Sequence, residues 1–326
     1  MKPGIATTTL VAVLLGLSLA AVAGSSDDAG DWVERMSAAM SQMSYQGTFV
    51  YVQGDEVESM RITHASDEKG VRERLVSVSG AQREILRDSN GVRWVRGDDH
   101  SVMEDPSFGR LFFPEIPLKT SDDAGVSYQF ELGEKARIAG HSGRKVKIIP
   151  RDRYRYGYNL WLEEQSALLL KWELLDSNQK RLAKLMFTEL RLGSEVDLQE
   201  LKSTNPLKEF RTLESSLPTG SSLSHSKPKW QAGMLPPGFR LTAHRYLGKK
   251  DQDVYEHMVY SDGLAAVSVY VEGNQDGSLG KDTGISRMGT THAFSRLADG
   301  VLITVVGDVP AATVRAIGES VKLRIP

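Results

Sequence analysis

Between Arg153 and Arg191 the chain alternates apolar and polar residues with a period of two, and this stretch constrains the fold more than any other. Successive side chains of a strand point to opposite faces. Tyr154, Tyr156, Tyr158, Leu160 and Leu162 therefore share a face of one predicted strand. Leu168, Leu170, Trp172 and Leu174 share a face of the next. Short polar links, Glu163 to Ser166 and Ser177 to Gln179, join these runs to a third, Lys180 to Arg191. The pattern predicts a three-stranded antiparallel meander with one face of aromatics and leucines. A smaller set, Trp161, Leu169 and Leu175, lies on the other. So apolar a face must be buried against helices, against another sheet or around a ligand. Two readings follow: an ordinary core, or a curved open barrel whose lumen accepts a hydrophobic guest.

The rest of the chain is read around that meander. Residues 1–23 are expected to be a secretory signal peptide: Lys2 precedes an apolar run, Leu10 to Ala21, and Ala21-Val22-Ala23 is a small-x-small cleavage signal. Loss of Lys2 takes the net charge from -2 to -3. Nothing in that balance favours nucleic acid, which wants a clustered basic surface. The chain has no cysteine, hence no disulfide framework and no lipid-carrying thiol.

Trp32, Met36, Met40 and Met43 recur at helical spacing, and Asp27 or Asp28 is placed to cap that helix. From Gly47 the period is that of strands: Gly47 to Gln53, Glu56 to Ser66, Val71 to Ser79, Gln82 to Asp88, a hairpin turn at Asn90-Gly91, then Val92 to Arg96 and a strand from Ser101. Further strands are expected at Val126 to Leu132, Ala136 to Ala139 and Arg144 to Ile149. Residues 105–123 break the alternation. Phe108, Phe112 and Phe113 there suggest a lid over the sheet, with a plain buried connection as the alternative. Residues 203–228 have the Ser, Pro and Gly content of a linker. The division is therefore a first domain over 24–202, the linker, and a second domain over 229–326. In the latter, strands at 239–247, 254–260, 264–271, 290–297 and 301–306 precede a final helix with Pro310 at its first position. The fold class is mainly β: an open, unclosed antiparallel barrel with helices, then a small α+β unit with an antiparallel sheet and one helix.

No catalytic motif emerges. The seven histidines stand alone with no metal-ligand spacing, and no nucleophile elbow or phosphate loop backed by a helix occurs. The chain is read as a binding protein rather than an enzyme, with no metal and no cofactor. Candidate lipid-binding residues are Tyr158, Leu160, Leu168, Leu170 and Trp172 on the sheet, with Phe108, Phe112 and Phe113 in the lid. A second candidate site is a basic stripe for phosphate or a charged headgroup. If the tyrosines face inward, Arg151, Arg153 and Arg155 face outward together, beside Lys145 and Lys147. A solvated outer face is the alternative.

Several runs resemble the MucB/RseB family: Tyr-Gly-Tyr-Asn-Leu-Trp-Leu (156–162), Leu-Leu-Leu-Lys-Trp-Glu-Leu-Leu-Asp (168–176), Tyr-Gln-Gly-Thr-Phe-Val-Tyr (45–51), Leu-Pro-Pro-Gly-Phe (235–239) and Thr-Val-Val-Gly-Asp-Val-Pro-Ala-Ala-Thr (304–313). Their order spans most of the mature chain. The resemblance implies a periplasmic negative regulator of an envelope-stress sigma factor. Such a protein binds the periplasmic region of a membrane-spanning, MucA/RseA-like anti-sigma factor and shields it from regulated proteolysis. It implies a first domain similar to the lipoprotein carriers LolA and LolB, and release by lipid or a lipopolysaccharide fragment. The alternative function is a periplasmic lipid or lipoprotein carrier. The surface that binds the partner is unknown at this level, and the oligomeric state is open, a homo-oligomer included.

Overall fold

The computed structural model describes residues 28–105, 124–193, 196–205, 211–213, 227–247, 255–273 and 283–324. The expected signal peptide and the Phe-rich segment fall outside them.

Helix α1 (Ala29–Gln42) begins where Asp28 accepts a hydrogen bond from the Gly30 N–H. Its apolar stripe of Trp32, Val33, Met36, Ala39 and Met40 is buried. A long meander follows: β1 (Tyr45–Gln53), β2 (Glu56–Asp67), β3 (Gly70–Ser77), β4 (Arg83–Asp88), β5 (Gly91–Arg96) and β6 (Ser101–Asp105). A one-turn helix, α2 (Ala124–Ser127), leads into β7 (Tyr128–Ile138), β8 (His141–Pro150), β9 (Gly157–Glu163), β10 (Leu169–Leu175) and β11 (Arg181–Leu192). The two meanders join where β1 pairs antiparallel with β11. With β12 (Arg211–Leu213), they form one sheet in the order β12-β6-β5-β4-β3-β2-β1-β11-β10-β9-β8-β7. Its edges, β12 and β7, do not pair with each other, so the sheet is open. It curls nonetheless: the His141 ring in β8 lies 3.0 Å from the Leu190 carbonyl, three strands away in β11.

Three expectations change. The strands expected at 126–132 and 136–139 are one strand, β7, whose register shifts between Leu132 and Lys135, while Val126 and Ser127 lie in α2 and Ala139 in the following turn. Asp88 pairs with Gly91, so the hairpin loop is Ser89-Asn90, and Gly91 closes it with φ at 131°. Part of the expected linker is held. Just after the 3-10 turn Leu198–Leu201, which ends the expected first domain, Ser203 and Asn205 hydrogen-bond Glu84 at 2.6 and 2.8 Å, and further on β12 pairs parallel with β6.

The second domain opens with β13 (Trp230–Ala232) and continues through β14 (Arg240–Leu247), β15 (Tyr255–Ser261), β16 (Ala266–Gly273), β17 (Gly284–Met288), β18 (Thr291–Ala298) and β19 (Val301–Gly307). Helix α3 (Ala311–Ser320) and β20 (Val321–Leu323) close it. Six strands form an antiparallel sheet, β14-β15-β16-β19-β18-β17, and β13 pairs with β20. Helix α3 covers one face with Val314 and Ile317, which join Phe294, Ile303 and Val305 in the core. Gly318 lets the helix approach, since a Cβ there would collide with the Phe294 ring. Pro310 stands one residue ahead of its expected place, at the helix cap with φ -56° and ψ 150°. Strand β17 lies between the strands expected at 264–271 and 290–297, where none was expected.

Candidate functional site: the concave face and the joint between domains

Register places the predicted apolar residues together. Leu160 lies opposite Trp172, Trp172 opposite Leu185, and Leu185 opposite Tyr51. One row along, Tyr158 faces Leu174, which faces Ala183. Leu170 is the residue skipped where pairing in β10 jumps from Leu169 to Lys171, Leu168 stands just ahead of the strand, and both are fully buried. Leu160, Leu168, Leu170 and Trp172 belong to the same buried cluster as Trp32, Met36 and Met40 of α1, with Tyr158 packed against it. Helix α1 thus fills part of the concavity, and the Arg35 guanidinium donates to the Gln165 carbonyl (2.9 Å) in the β9–β10 turn. The lid residues Phe108, Phe112 and Phe113 lie outside the described residues.

The other end of the concavity is aromatic. Tyr51 and Trp172 have ring centroids 6.1 Å apart. The Trp172 Nε1–H is buried without a hydrogen-bond partner. Burial pushes the Tyr156 hydroxyl up to about 12 and raises those of Tyr51 and Tyr158, with Asp308 adding to the last two. These phenols stay neutral and serve as hydrogen-bond donors at any physiological pH.

The basic stripe is corrected. Arg151 and Arg153 are exposed, but Arg155 is completely buried and does not share their face. The physical reason is local. Strand β9 starts only at Gly157, and residues 151–155 form a bend in which Asp152 accepts from the Tyr154 N–H at 2.9 Å. Alternation has no meaning there. Arg151 donates to the Tyr128 carbonyl (3.2 Å), and Arg153 lies over the Tyr154 ring, 5.4 Å from its centroid. Lys145 and Lys171 flank the outward face of Trp161 at 4.9 and 3.7 Å, and Lys147 pairs with Glu131 at 3.3 Å.

The same bend makes the joint between the two domains, which period reasoning missed. Arg155 bridges to Asp262 and to the Pro237 carbonyl. The Tyr128 hydroxyl donates to Asp262 at 2.9 Å. Tyr156 places its hydroxyl 3.2 Å from the Thr290 carbonyl and from His292 Nδ1. The Thr313 hydroxyl donates to the Tyr154 carbonyl at 2.7 Å, and Gln53 reaches the Thr290 hydroxyl at 3.2 Å. The clue in the sequence was an arginine inside an aromatic run, together with Asp262-Gly263 and Pro237-Gly238 turns whose partners lie a hundred residues away. Among the described residues, no group of three histidine, aspartate or glutamate side chains is arranged to hold a metal ion.

Known proteins agree with this architecture. The family model described as the MucB/RseB N-terminal domain matches residues 28–205, and that of the MucB/RseB C-terminal domain matches residues 224–322. The sigma factor AlgU regulatory protein MucB of Pseudomonas aeruginosa is 29% identical over 323 residues, 97% of each chain. The sigma-E factor regulatory protein RseB of Haemophilus influenzae is 27% identical over 320 residues, 96% of this chain and 97% of that one. Among solved structures, MucB in complex with MucA(peri) superposes with a TM-score of 0.70 at 28% identity, covering 92% of this chain and 100% of that one. MucB alone superposes with 0.62 at the same identity, covering 92% and 99%. With both of its domains matched in order over nearly the whole described fold, the chain belongs to the MucB/RseB family.

Proposed function

We propose that the chain is a negative regulator of an envelope-stress sigma factor, acting in the periplasm after removal of residues 1–23. It binds the periplasmic segment of a membrane-spanning, MucA/RseA-like anti-sigma factor and shields it from proteolysis. The observation that carries this reading is family membership across both domains, together with the solved complex of the relative MucB with MucA(peri). The role is binding, not catalysis. The two domains, 24–202 and 229–326, act as one receptor.

Release belongs to the same proposal: lipid, or the acyl part of a lipopolysaccharide fragment, enters the concave face and lowers the affinity for the segment. What supports it is the row Tyr51, Leu185, Trp172, Leu160 and the unpartnered indole N–H in its middle, a donor suited to an ester carbonyl. An acyl chain gains about 0.8 kcal/mol per buried methylene, so a few suffice for a coupling of about 1–3 kcal/mol. The test is a titration of lipopolysaccharide fragments into a preformed complex with the anti-sigma segment, for wild type and Trp172→Phe. Release from wild type at lower concentration than from the variant is the expected result. Binding of lipid without any change in the segment's affinity would refute release while leaving capture intact.

A further inference from the structure

Among the described residues, Arg155 is the largest fully buried side chain that carries a charge. It belongs to the first domain, yet two of the three groups it bonds belong to the second. Its Nε donates to Asp262 Oδ2, and its terminal nitrogens donate to Asp152 and to the Pro237 carbonyl. The guanidinium stands 5.4 Å from the Tyr128 ring centroid and 5.0 Å from that of Phe239, one ring from each domain.

The socket is rigid. Asp262 Oδ1 accepts from its own turn, the Leu264 N–H at 2.9 Å and the Ala265 N–H at 2.7 Å, so the carboxylate cannot follow a moving arginine. Gly238 sits at φ +80°, where a side chain is strained, and a Cβ there would come within 2.8 Å of the Ser127 hydroxyl. Ser127 in turn donates to the Pro237 carbonyl at 3.2 Å. A planar fork whose bonds reach such a fixed frame is satisfied at one domain placement. Any other breaks the Arg155–Asp262 bridge and costs each of these buried charges its counterpart across the joint.

We propose that Arg155 is a positioning residue that holds the second domain against the first in the arrangement that receives the anti-sigma segment. This rests on the functional reading above and adds the residue that sets the geometry. Structures of the relative MucB that contain MucA superpose on the whole chain with a TM-score of 0.70, and MucB alone with 0.62.

The absence of cysteine makes a direct measurement simple. Glu68→Cys, in the exposed β2–β3 turn, and Glu319→Cys, exposed near the end of α3, accept spin labels for pulsed distance measurements. In the full mature chain, wild type gives one narrow distance distribution. Arg155→Met broadens it. Binding of a fluorescent periplasmic segment of MucA weakens about tenfold if the competent arrangement falls to about a tenth of molecules. The double variant Arg155→Met with Asp262→Asn removes the charge from both sides of the bridge and melts near wild type, yet keeps the broad distances and weak binding. It also decides the matter if the single variant does not fold. Wild-type distances and affinity in the double variant would show a merely structural role and overturn the proposal, as would narrow distances in Arg155→Met. If wild type itself fails to bind the MucA segment, the functional reading falls, and the distances alone then decide whether Arg155 sets the domain placement.

Discussion

His257 shows how one side chain ties stability to acidity. It is buried, accepts from Arg245 Nε at Nδ1 (3.0 Å), lies 3.0 Å from the Ser268 hydroxyl through Nε2, and stacks on Tyr270 with centroids 4.3 Å apart. With a donor already facing Nδ1, the ring has no room for a second proton. Burial, then the neighbouring Arg245 and His244, depresses its pKa from 6.5 to about 4. The unfolded chain therefore takes up the proton first as pH falls. Stability is complete above about 6.5, declines between 6.5 and 4, and the loss is on the order of 3 kcal/mol. Thermal melts from pH 7 to 4.5 should show a drop that is shallower in His257→Gln, where an amide replaces the titrating ring. Leu170 makes the other residue-scale point. It is fully buried, and its methyl would lie 3.0 Å from a Cβ at Gly143, so Leu170→Ala leaves a cavity with no slack around it. A loss of about 2–5 kcal/mol in urea unfolding is expected. That Leu160 and Trp172 lie opposite each other was legible because alternation is a property of each strand alone, whereas the register shift between Leu169 and Lys171 interrupts it for Leu168 and Leu170. The fate of Arg155 was not, because its partners are supplied by turns far along the chain, and no local pattern encodes a buried ion pair.

Among the elements, the strap over residues 198–205 is the least expected. Arg74 and Glu84 form a buried ion pair on neighbouring strands β3 and β4. Arg74 also donates to the Glu200 carbonyl (3.0 Å) and the Thr204 hydroxyl (3.1 Å), while Glu84 accepts from Ser203 and Asn205. The pair therefore fastens the outgoing chain to the sheet. Glu84→Ala leaves the Arg74 charge buried and should cost about 3–5 kcal/mol. It should also open Lys202, whose exposed side chain sits on a held backbone, to trypsin. Cleavage at Lys202 that is equally fast in wild type would show that the strap is loose. Composition marked residues 203–205 as the start of a linker, and composition is blind to such clamps. Strand β17 escaped notice for a related reason: its five residues are exposed, so no alternation betrays it. By contrast, the hairpins β1–β2, β2–β3 and β15–β16 were legible, since glycine and aspartate turns flank strands whose partners are their sequence neighbours.

For the whole molecule, the linker expected from composition, with its Ser-, Pro- and Gly-rich run 215–228, is where a broad-specificity protease is expected to cut first, giving fragments of roughly 20 and 11 kDa at about 110 Da per residue. Fragments ending within 153–191 would contradict the core described above. The order of strands carries one further consequence. Each meander can assemble from neighbouring strands as soon as it is made. The bond line between β1 and β11 cannot, because residues 45–53 must wait for residues 181–192. A chain delivered N-terminus first therefore holds its first strand with one edge unsatisfied until more than half of its length has arrived. Closing so long a loop is slow compared with hairpin formation. Pulse-labelled hydrogen exchange during refolding should protect amides within β2–β4 and β8–β10 first, and those facing the seam, such as Val50 and Met186, later. Until then the unpaired edge of β1 is open to any extended chain nearby, and the interval before the seam closes is when this protein is most exposed to aggregation.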